Sequence, residues 1–288
     1  MLLTDADLKR YAETGVLFPI PVLTEAERRR FRSDVDELEA LCGTSAPRTL
    51  FGQFHLNFKW AYDLATHPRV LDAVEQVIGP DILVHSTTLF SKHPGKTFVS
   101  WHQDGHYLEL SEPLLVSAWI ALSESTVENG CMRIQPGTHL SRLDHTEVHH
   151  ENNMLGTGST TTAAFDEARA VDVVLGAGEM SFHHANVVHG SGPNRSAGNR
   201  VGFAIRYVAP EVRQRRGHFA VVLARGRDRY GHYEHLREPP RHSVRDGLPI
   251  QPVVNPRQCA QGPDLAGEHE PLRSWGIKQR FNPKPVAG

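Results

Sequence analysis

The stretch Ser100-Trp101-His102-Gln103-Asp104-Gly105-His106 holds the spacing on which the reading of the whole chain turns. On an extended strand the side chains at i and i+2 leave the same face, so an imidazole at 102 and a carboxylate at 104 can grip one ion. Two such donors supply two corners of a 2-His-1-carboxylate facial triad, which leaves the remaining coordination positions open. His-x-Asp also arises by chance, and the chain carries 18 histidines, so a third donor has to be found elsewhere before the pair means anything.

Around this stretch the texture is that of a β protein. From Ile82 to about Val208 come short runs rich in β-branched and aromatic residues, punctuated by Gly, Pro and Asn. They are Ile82 to Ser91, Val99 to His102, Leu115 to Leu122, Met132 to Ile134, Val171 to Val174, Met180 to His183 and Val201 to Val208, and this spacing predicts a sandwich or barrel over 81–210. The first 80 or so residues read as a helical layer instead. Thr4 with Asp7 and Thr24 with Glu27 stand at capping-box spacing, Phe31, Val35, Leu38 and Leu41 form one apolar stripe that Gly43 stops, and Pro68 opens a third helix with Val70, Leu71, Val74 and Val77 facing inward as far as Gly79-Pro80. Residues 141–166, poor in core-formers, predict a mobile lid over the active site. Residues 211–288 predict an irregular extension wrapped on the core.

Composition bounds the function. The chain has 288 residues, 39% of them hydrophobic and 22% charged, which fits a single domain over 1–288. A formal net charge of −2 with scattered basic residues gives no footprint for a run of phosphates, so nucleic acid is not an expected partner. The first residues lack a basic segment followed by an apolar one, and no run of about 18 apolar residues occurs, which predicts a cytoplasmic protein without a membrane partner. Cys42, Cys131 and Cys259 are far apart and read as reduced bystanders. Nothing in the sequence sets an oligomeric state.

A second cluster, Phe182-His183-His184-Ala185-Asn186-Val187-Val188-His189-Gly190-Ser191-Gly192-Pro193-Asn194-Arg195-Ser196, offers the third donor, and Arg200 follows it. A dicarboxylate chelating a metal at one end leaves its far carboxylate needing a charged, preferably bidentate partner, a role that guanidinium fits. A hairpin or short crossover would bring Arg200 beside the histidine strand.

The combination of His102-Gln103-Asp104, Ala118-Trp119-Ile120-Ala121-Leu122, Glu128-Asn129-Gly130-Cys131-Met132, Pro136-Gly137-Thr138-His139, His189-Gly190-Ser191-Gly192-Pro193-Asn194 and Arg200 resembles the phytanoyl-CoA dioxygenase family of iron and 2-oxoglutarate enzymes, from roughly Thr4 to Tyr233. The resemblance implies a double-stranded β-helix, a jelly-roll of cupin type, behind an N-terminal helical layer. It implies that His102, Asp104 and His189 bind Fe(II) and that Arg200 holds the distal carboxylate of 2-oxoglutarate, with Ser191 adding a hydroxyl and Trp119 lining the pocket. Thr88 and Gln53 fall near family positions that contact 2-oxoglutarate. By the same resemblance the chain consumes O2 and 2-oxoglutarate, releases succinate and CO2, and hydroxylates an aliphatic C–H of a small molecule of the specialised-metabolite, acyl or amino-acid type. The same chemistry leads elsewhere in the family to desaturation, cyclisation or epimerisation. Relatives that halogenate replace the carboxylate at position 104 with a small residue, so Asp104 argues against that branch.

The other histidines have plainer readings. His183 and His184 match the motif less well than His189, His106 suits a pocket edge, and His139 suits a turn. Asn129-Gly130 is a turn signal, and Trp101 reads as a core aromatic. Arg206 is the next candidate should Arg200 not serve, and Arg213 to Arg216 join the lid as contributors to substrate recognition. Two other classes stay open: a cupin-type metal-binding or isomerase protein without 2-oxoglutarate turnover, and a structural β-sandwich with incidental histidines.

Overall fold

The computed structural model describes residues 2–42, 53–108, 110–111, 114–215 and 220–236. The first helix, α1 (Asp5–Thr14), starts where Thr4 and Asp7 exchange hydrogen bonds in a capping box and stops at Gly15 in the left-handed region, φ 75°. Strand β1 (Val16–Pro21) follows, and then α2 (Glu25–Cys42), begun by the same device between Thr24 and Glu27. Its stripe points as the spacing predicts: Phe31, Val35 and Leu38 are buried and Leu41 packs against the same cluster. Gly43, expected to end this helix, lies outside the described residues. Short helices α3 (Phe54–Asn57) and α4 (Lys59–Ala65) precede α5 (Pro68–Ile78), which has Pro68 in its first turn and buries Val70, Leu71 and Val74.

The strands then run β2 (Ile82–Lys92), β3 (Val99–His102), helix α6 (Asp104–Leu108), β4 (Leu115–Ala121), β5 (Met132–Gln135), β6 (His145–Glu147), β7 (Ser159–Thr161), β8 (Val171–Val173), β9 (Glu179–His184), β10 (Val188–Ser191), β11 (Arg200–Val208), β12 (Ala220–Arg225) and β13 (Glu234–His235). Seven of them form one sheet in the order β1-β9-β4-β11-β2-β12-β13, and four form a second in the order β3-β10-β5-β8. Pairing is antiparallel except between β12 and β13. This is the expected jelly-roll with helices on one side. Each strand of the large sheet alternates its faces. On β11, Val201, Phe203, Ile205 and Tyr207 join the apolar cluster under the helices, while Arg200, Ala204 and Arg206 take the other phase. Phe203 is fully buried, with Phe54 edge-on at 6.3 Å and Trp60 at 5.4 Å.

Four expectations need correction. The N-terminal layer is not purely helical, because Val16–Pro21 joins the large sheet. Its two prolines disguise it as a loop, yet an edge strand tolerates residues without an N–H on its open side. The strand carrying the His-x-Asp pair ends at His102, and Asp104 opens α6. The two side chains meet because the chain turns at Gln103, not through strand alternation. Residues 141–166 are also not featureless. They contain the β6–β7 hairpin, and they are fastened to the small sheet by Ser100 Oγ to Ser159 O at 2.7 Å and Met154 N to Phe98 O at 2.7 Å. Within the stretch 211–288, expected to be irregular, β12 pairs with β2 and carries β13 at the edge of the large sheet, and the remainder beyond Leu236 lies outside the described residues.

Truncating Phe203 removes the aromatic side chain that joins the helical layer to the central strand. Phe203→Ala is expected to lower unfolding free energy by about 3–5 kcal/mol, read as a shifted midpoint in urea; a loss below about 1 kcal/mol would mean the layer packs independently of β11.

Candidate active site

His102 and His189 are register partners on β3 and β10, with ring centroids 4.2 Å apart. Asp104, at the start of α6, reaches between them: its Oδ1 lies 3.4 Å from His102 Nε2 and 3.9 Å from His189 Nε2. The three donor atoms all lie within 4.8 Å of one another and all three residues are buried. Tautomer is set by the backbone. His102 Nδ1 stands 2.7 Å from Ser100 O and His189 Nδ1 3.0 Å from Val187 O. A carbonyl only accepts, so each Nδ1 carries the proton and each Nε2 presents a lone pair towards the carboxylate. Two imidazole Nε2 atoms and one carboxylate, converging while the Nδ1 protons are held by carbonyls, fit a divalent cation.

The electrostatics agree. Burial would raise the Asp104 carboxyl, but the Arg206 guanidinium, with His102 and His183 beside it, holds it well below the usual carboxylate range. Burial pushes the His189 imidazolium well below its ordinary value, and the neighbouring histidines add to the shift. Arg206 Nε lies 3.1 Å from Asp104 Oδ2, and its Nη1 donates to Thr88 Oγ1 at 3.2 Å. Ser117 Oγ donates to Asp104 Oδ2 at 3.1 Å, and the Tyr107 hydroxyl donates to Oδ1. The carboxylate is thus oriented from three elements. His183, buried on β9, stands with Nε2 3.7 Å from Asp104 Oδ2, while its Nδ1 has no partner among the described residues.

Gln103, between the two ligand candidates, is fully buried and ties this turn to its surroundings. Its Nε2 donates to Ser141 O at 2.9 Å and to Asn186 O, its Oε1 accepts from Leu143 N at 2.9 Å, and its backbone N–H donates to His145 Nε2 at 2.9 Å. His145 stacks on His106, centroids 4.4 Å apart and 13° from parallel.

At the other end of β11, Arg200 is buried and its guanidinium lies over the Trp119 ring at 5.2 Å. Trp119 gains this place because Gly202 has no side chain; a Cβ there would fall 1.9 Å from the indole. Arg200 Nη1 donates to Gly130 O at 2.6 Å, and its Nε has no partner among the described residues. Lys92, opposite Arg200 on β2, donates to Ser191 Oγ and Gly192 O, each at 2.6 Å. Burial, reinforced by Arg200, brings the Lys92 ammonium down to about 6, and burial lowers Arg200 to about 10.

Of the residues singled out in the sequence, the structure brings His102, Asp104 and His189 to one point. It gathers Arg200, Ser191 and Trp119 at a second, and joins Thr88 to the first through Arg206. Gln53 bridges to Thr87 on β2 through its backbone and has no hydrogen bond to these residues among the described contacts. His139 is a turn residue, packed on Gly15 with Nε2 3.1 Å from Ala12 O. Lys92, Tyr107, Ser117 and Gln103 were not singled out. Lys92 shares the phase of Thr88 on β2, and Ser117 that of Trp119 on β4, so period-two reading outward from a known site residue finds both.

Removing one partner of a buried ion pair leaves the other charge uncompensated. Arg206→Met is expected to destabilise the metal-free protein by about 3–5 kcal/mol and the Ni(II)-loaded protein by less, because the cation then neutralises Asp104. Chemical denaturation with and without Ni(II) measures both. Equal losses in the two forms would show that Arg206 does not act through the carboxylate.

Comparison with known proteins places this geometry. The profile of the phytanoyl-CoA dioxygenase (PhyH) family matches residues 11–202. The human peroxisomal phytanoyl-CoA dioxygenase is 28% identical over 242 residues, 73% of this chain and 70% of that protein. A probable alpha-ketoglutarate-dependent hypophosphite dioxygenase of Stutzerimonas stutzeri is 28% identical over 160 residues, where the match spans 55% of this chain and only 56% of the relative. Among solved structures, the apo form of the non-heme monooxygenase ThoJ is 36% identical with a TM-score of 0.71, covering 81% of this chain and 89% of that one. The epimerase SnoN, in complex with Fe3+, alpha ketoglutarate and nogalamycin RO, shares the fold at 22% identity and a TM-score of 0.60, over 74% and 86% of the two chains. The match of the family profile, together with the His-Asp-His cluster, makes this chain a member of the phytanoyl-CoA dioxygenase family of Fe(II)- and 2-oxoglutarate-dependent oxygenases.

Proposed function

We propose that this chain hydroxylates an aliphatic C–H bond of a small molecule, with His102, Asp104 and His189 as the iron ligands and Arg200, Ser191 and Trp119 at the 2-oxoglutarate end of the site. The observation that carries the reading is the donor set: two histidines locked by the backbone into the Nε2-free tautomer, facing one buried carboxylate. When bound, the iron with O2 and 2-oxoglutarate supplies an oxidant strong enough to take hydrogen from carbon.

The chain's own residues supply position and exclusion of water. Arg206, Ser117 and Tyr107 aim the carboxylate. Trp119, over Gly202 and under Arg200, gives the co-substrate an apolar wall beside the cation that meets its far carboxylate. Gln103 and His145 fasten the 141–166 segment to the metal turn, and this segment is read as the cover over the substrate. The substrate is taken to be a small molecule because the relatives' names span hypophosphite, an acyl-CoA and nogalamycin-type compounds. Orientation at the oxidant decides the product, and SnoN is an epimerase on the same fold, so epimerisation or ring closure is the competing outcome. Among the described residues no helix is long and apolar enough to cross a membrane.

Protein supplied with Fe(II), ascorbate and O2 is expected to convert 2-oxoglutarate to succinate without any primary substrate, and Asp104→Ala to reduce this to background. Near-normal turnover in that variant would remove Asp104 from the iron. Arg200→Ala is expected to raise the 2-oxoglutarate concentration required by about 10- to 100-fold, the value of a lost charged hydrogen bond, with turnover at saturation changed less. An unchanged requirement would move the carboxylate-binding role to another cation.

A further inference from the structure

The 141–161 segment holds the metal turn by the backbone N–H of Gln103, the residue between two candidate ligands. That N–H donates to His145 Nε2 at 2.9 Å, and His145 Nδ1 stands 2.9 Å from Leu143 O. The ring is held as those of His102 and His189 are, with Nδ1 on the carbonyl two residues earlier. In those two Nε2 faces Asp104; in His145 it faces a peptide N–H. A carbonyl only accepts, so the His145 proton sits on Nδ1 and Nε2 is the acceptor. Burial, reinforced by His106, His102 and Arg142 against the Leu143 carbonyl, brings the imidazolium down to about 4, which keeps that lone pair available near neutral pH.

His145 opens β6, and its strand partner is Thr161 at the end of β7, so this contact fixes the foot of the hairpin. Neighbours on the same limb hold the same turn. Ser141 O accepts from Gln103 Nε2 and Leu143 N donates to Gln103 Oε1, each at 2.9 Å, and the His145 ring lies 4.4 Å from that of His106. The peptide that links His102 to Gln103 therefore cannot rotate without displacing either the ligand pair or this limb. Whatever fixes the one fixes the other.

We propose that His145 is a positioning residue through which metal binding and closure of residues 141–161 are coupled: the ion holds His102 and Asp104 at the spacing in which the Gln103 N–H meets His145, and the clamped segment raises the affinity for the ion. The inference rests on the reading of His102, Asp104 and His189 as the metal ligands. Such coupling is reciprocal, so the factor by which the segment tightens the metal equals the factor by which the metal tightens the segment.

The test measures both sides of that equality on the full chain. Calorimetric titration reads the Ni(II) affinity, and hydrogen exchange of amides 141–161, with and without Ni(II), reads closure. His145→Phe keeps a ring over His106 and loses both nitrogens, whereas His145→Gln sets its Oε1 near the place of Nε2 and again accepts from Gln103. Wild-type protein is expected to gain protection in 141–161 when Ni(II) binds. His145→Phe is expected to bind Ni(II) about three- to tenfold more weakly, the worth of one hydrogen bond, and to lose most of the metal-dependent protection, while His145→Gln recovers part of both. An Ni(II) affinity unchanged in His145→Phe overturns the proposal. So does wild-type protection of 141–161 that ignores Ni(II), a loss in His145→Gln as large as in His145→Phe, or failure of both variants to fold, since each leaves His145 as a packing residue of the hairpin. Wild-type protein that does not bind Ni(II) overturns instead the reading of the three ligands.

Discussion

A carboxylate with no exposure to solvent stands at the centre of this structure, and the guanidinium of Arg206 is what keeps it charged. Without a cation in contact, an acid buried among three imidazoles would take up a proton, and a protonated Asp104 is a poor metal ligand. Arg206 can do this because it comes from the middle of the large sheet. Strand β11 is paired on both sides, with β4 and β2, and buried along its whole length. The register of one strand therefore places Arg206 under the metal-binding end and Arg200 at the far end on the same face. Gly202 and Ala204 between them are small enough to let Trp119 lie across the interval.

The imidazoles obey the same logic in reverse. Burial opposes protonation of His189, and the Nδ1 atoms of both His102 and His189 are taken up by the backbone two residues earlier, which leaves the Nε2 atoms to face inward. The site is preorganised by elements that would exist in any jelly-roll: two adjacent antiparallel strands for the histidines, a tight turn for the acid, a central strand for the arginines. Polar packing surrounds that frame, with His183, Ser117 and Tyr107 grouped about one carboxylate.

Much of this was written in the linear sequence. Seven of the strands were placed by alternation and turn residues, and both capping boxes are formed. His102, Asp104, His189 and Arg200 were found from spacing joined to a family likeness. The misses have physical reasons. Pro19 and Pro21 hid β1 because an edge strand needs fewer backbone donors than a central one. Asp104 reached its place through a change of backbone direction at Gln103, a step that period-two reading does not contain. Lys92 falls one residue past the Ile82 to Ser91 run read as a strand, and the pairing of β2 with β11 sets it beside Arg200. Gln53 was drawn in by a loose alignment, and its described contact with β2 is the backbone bridge to Thr87.

The hydrogen bonds from Ser100, Phe98 and Gln103 into residues 141–161 mean that the part of the barrel that differs most in texture from its core is bolted to the strand bearing the first imidazole. The segment and that imidazole share a mechanical frame. A loop exchanged here would have to bring β3 with it, or it would re-aim the His102 ring.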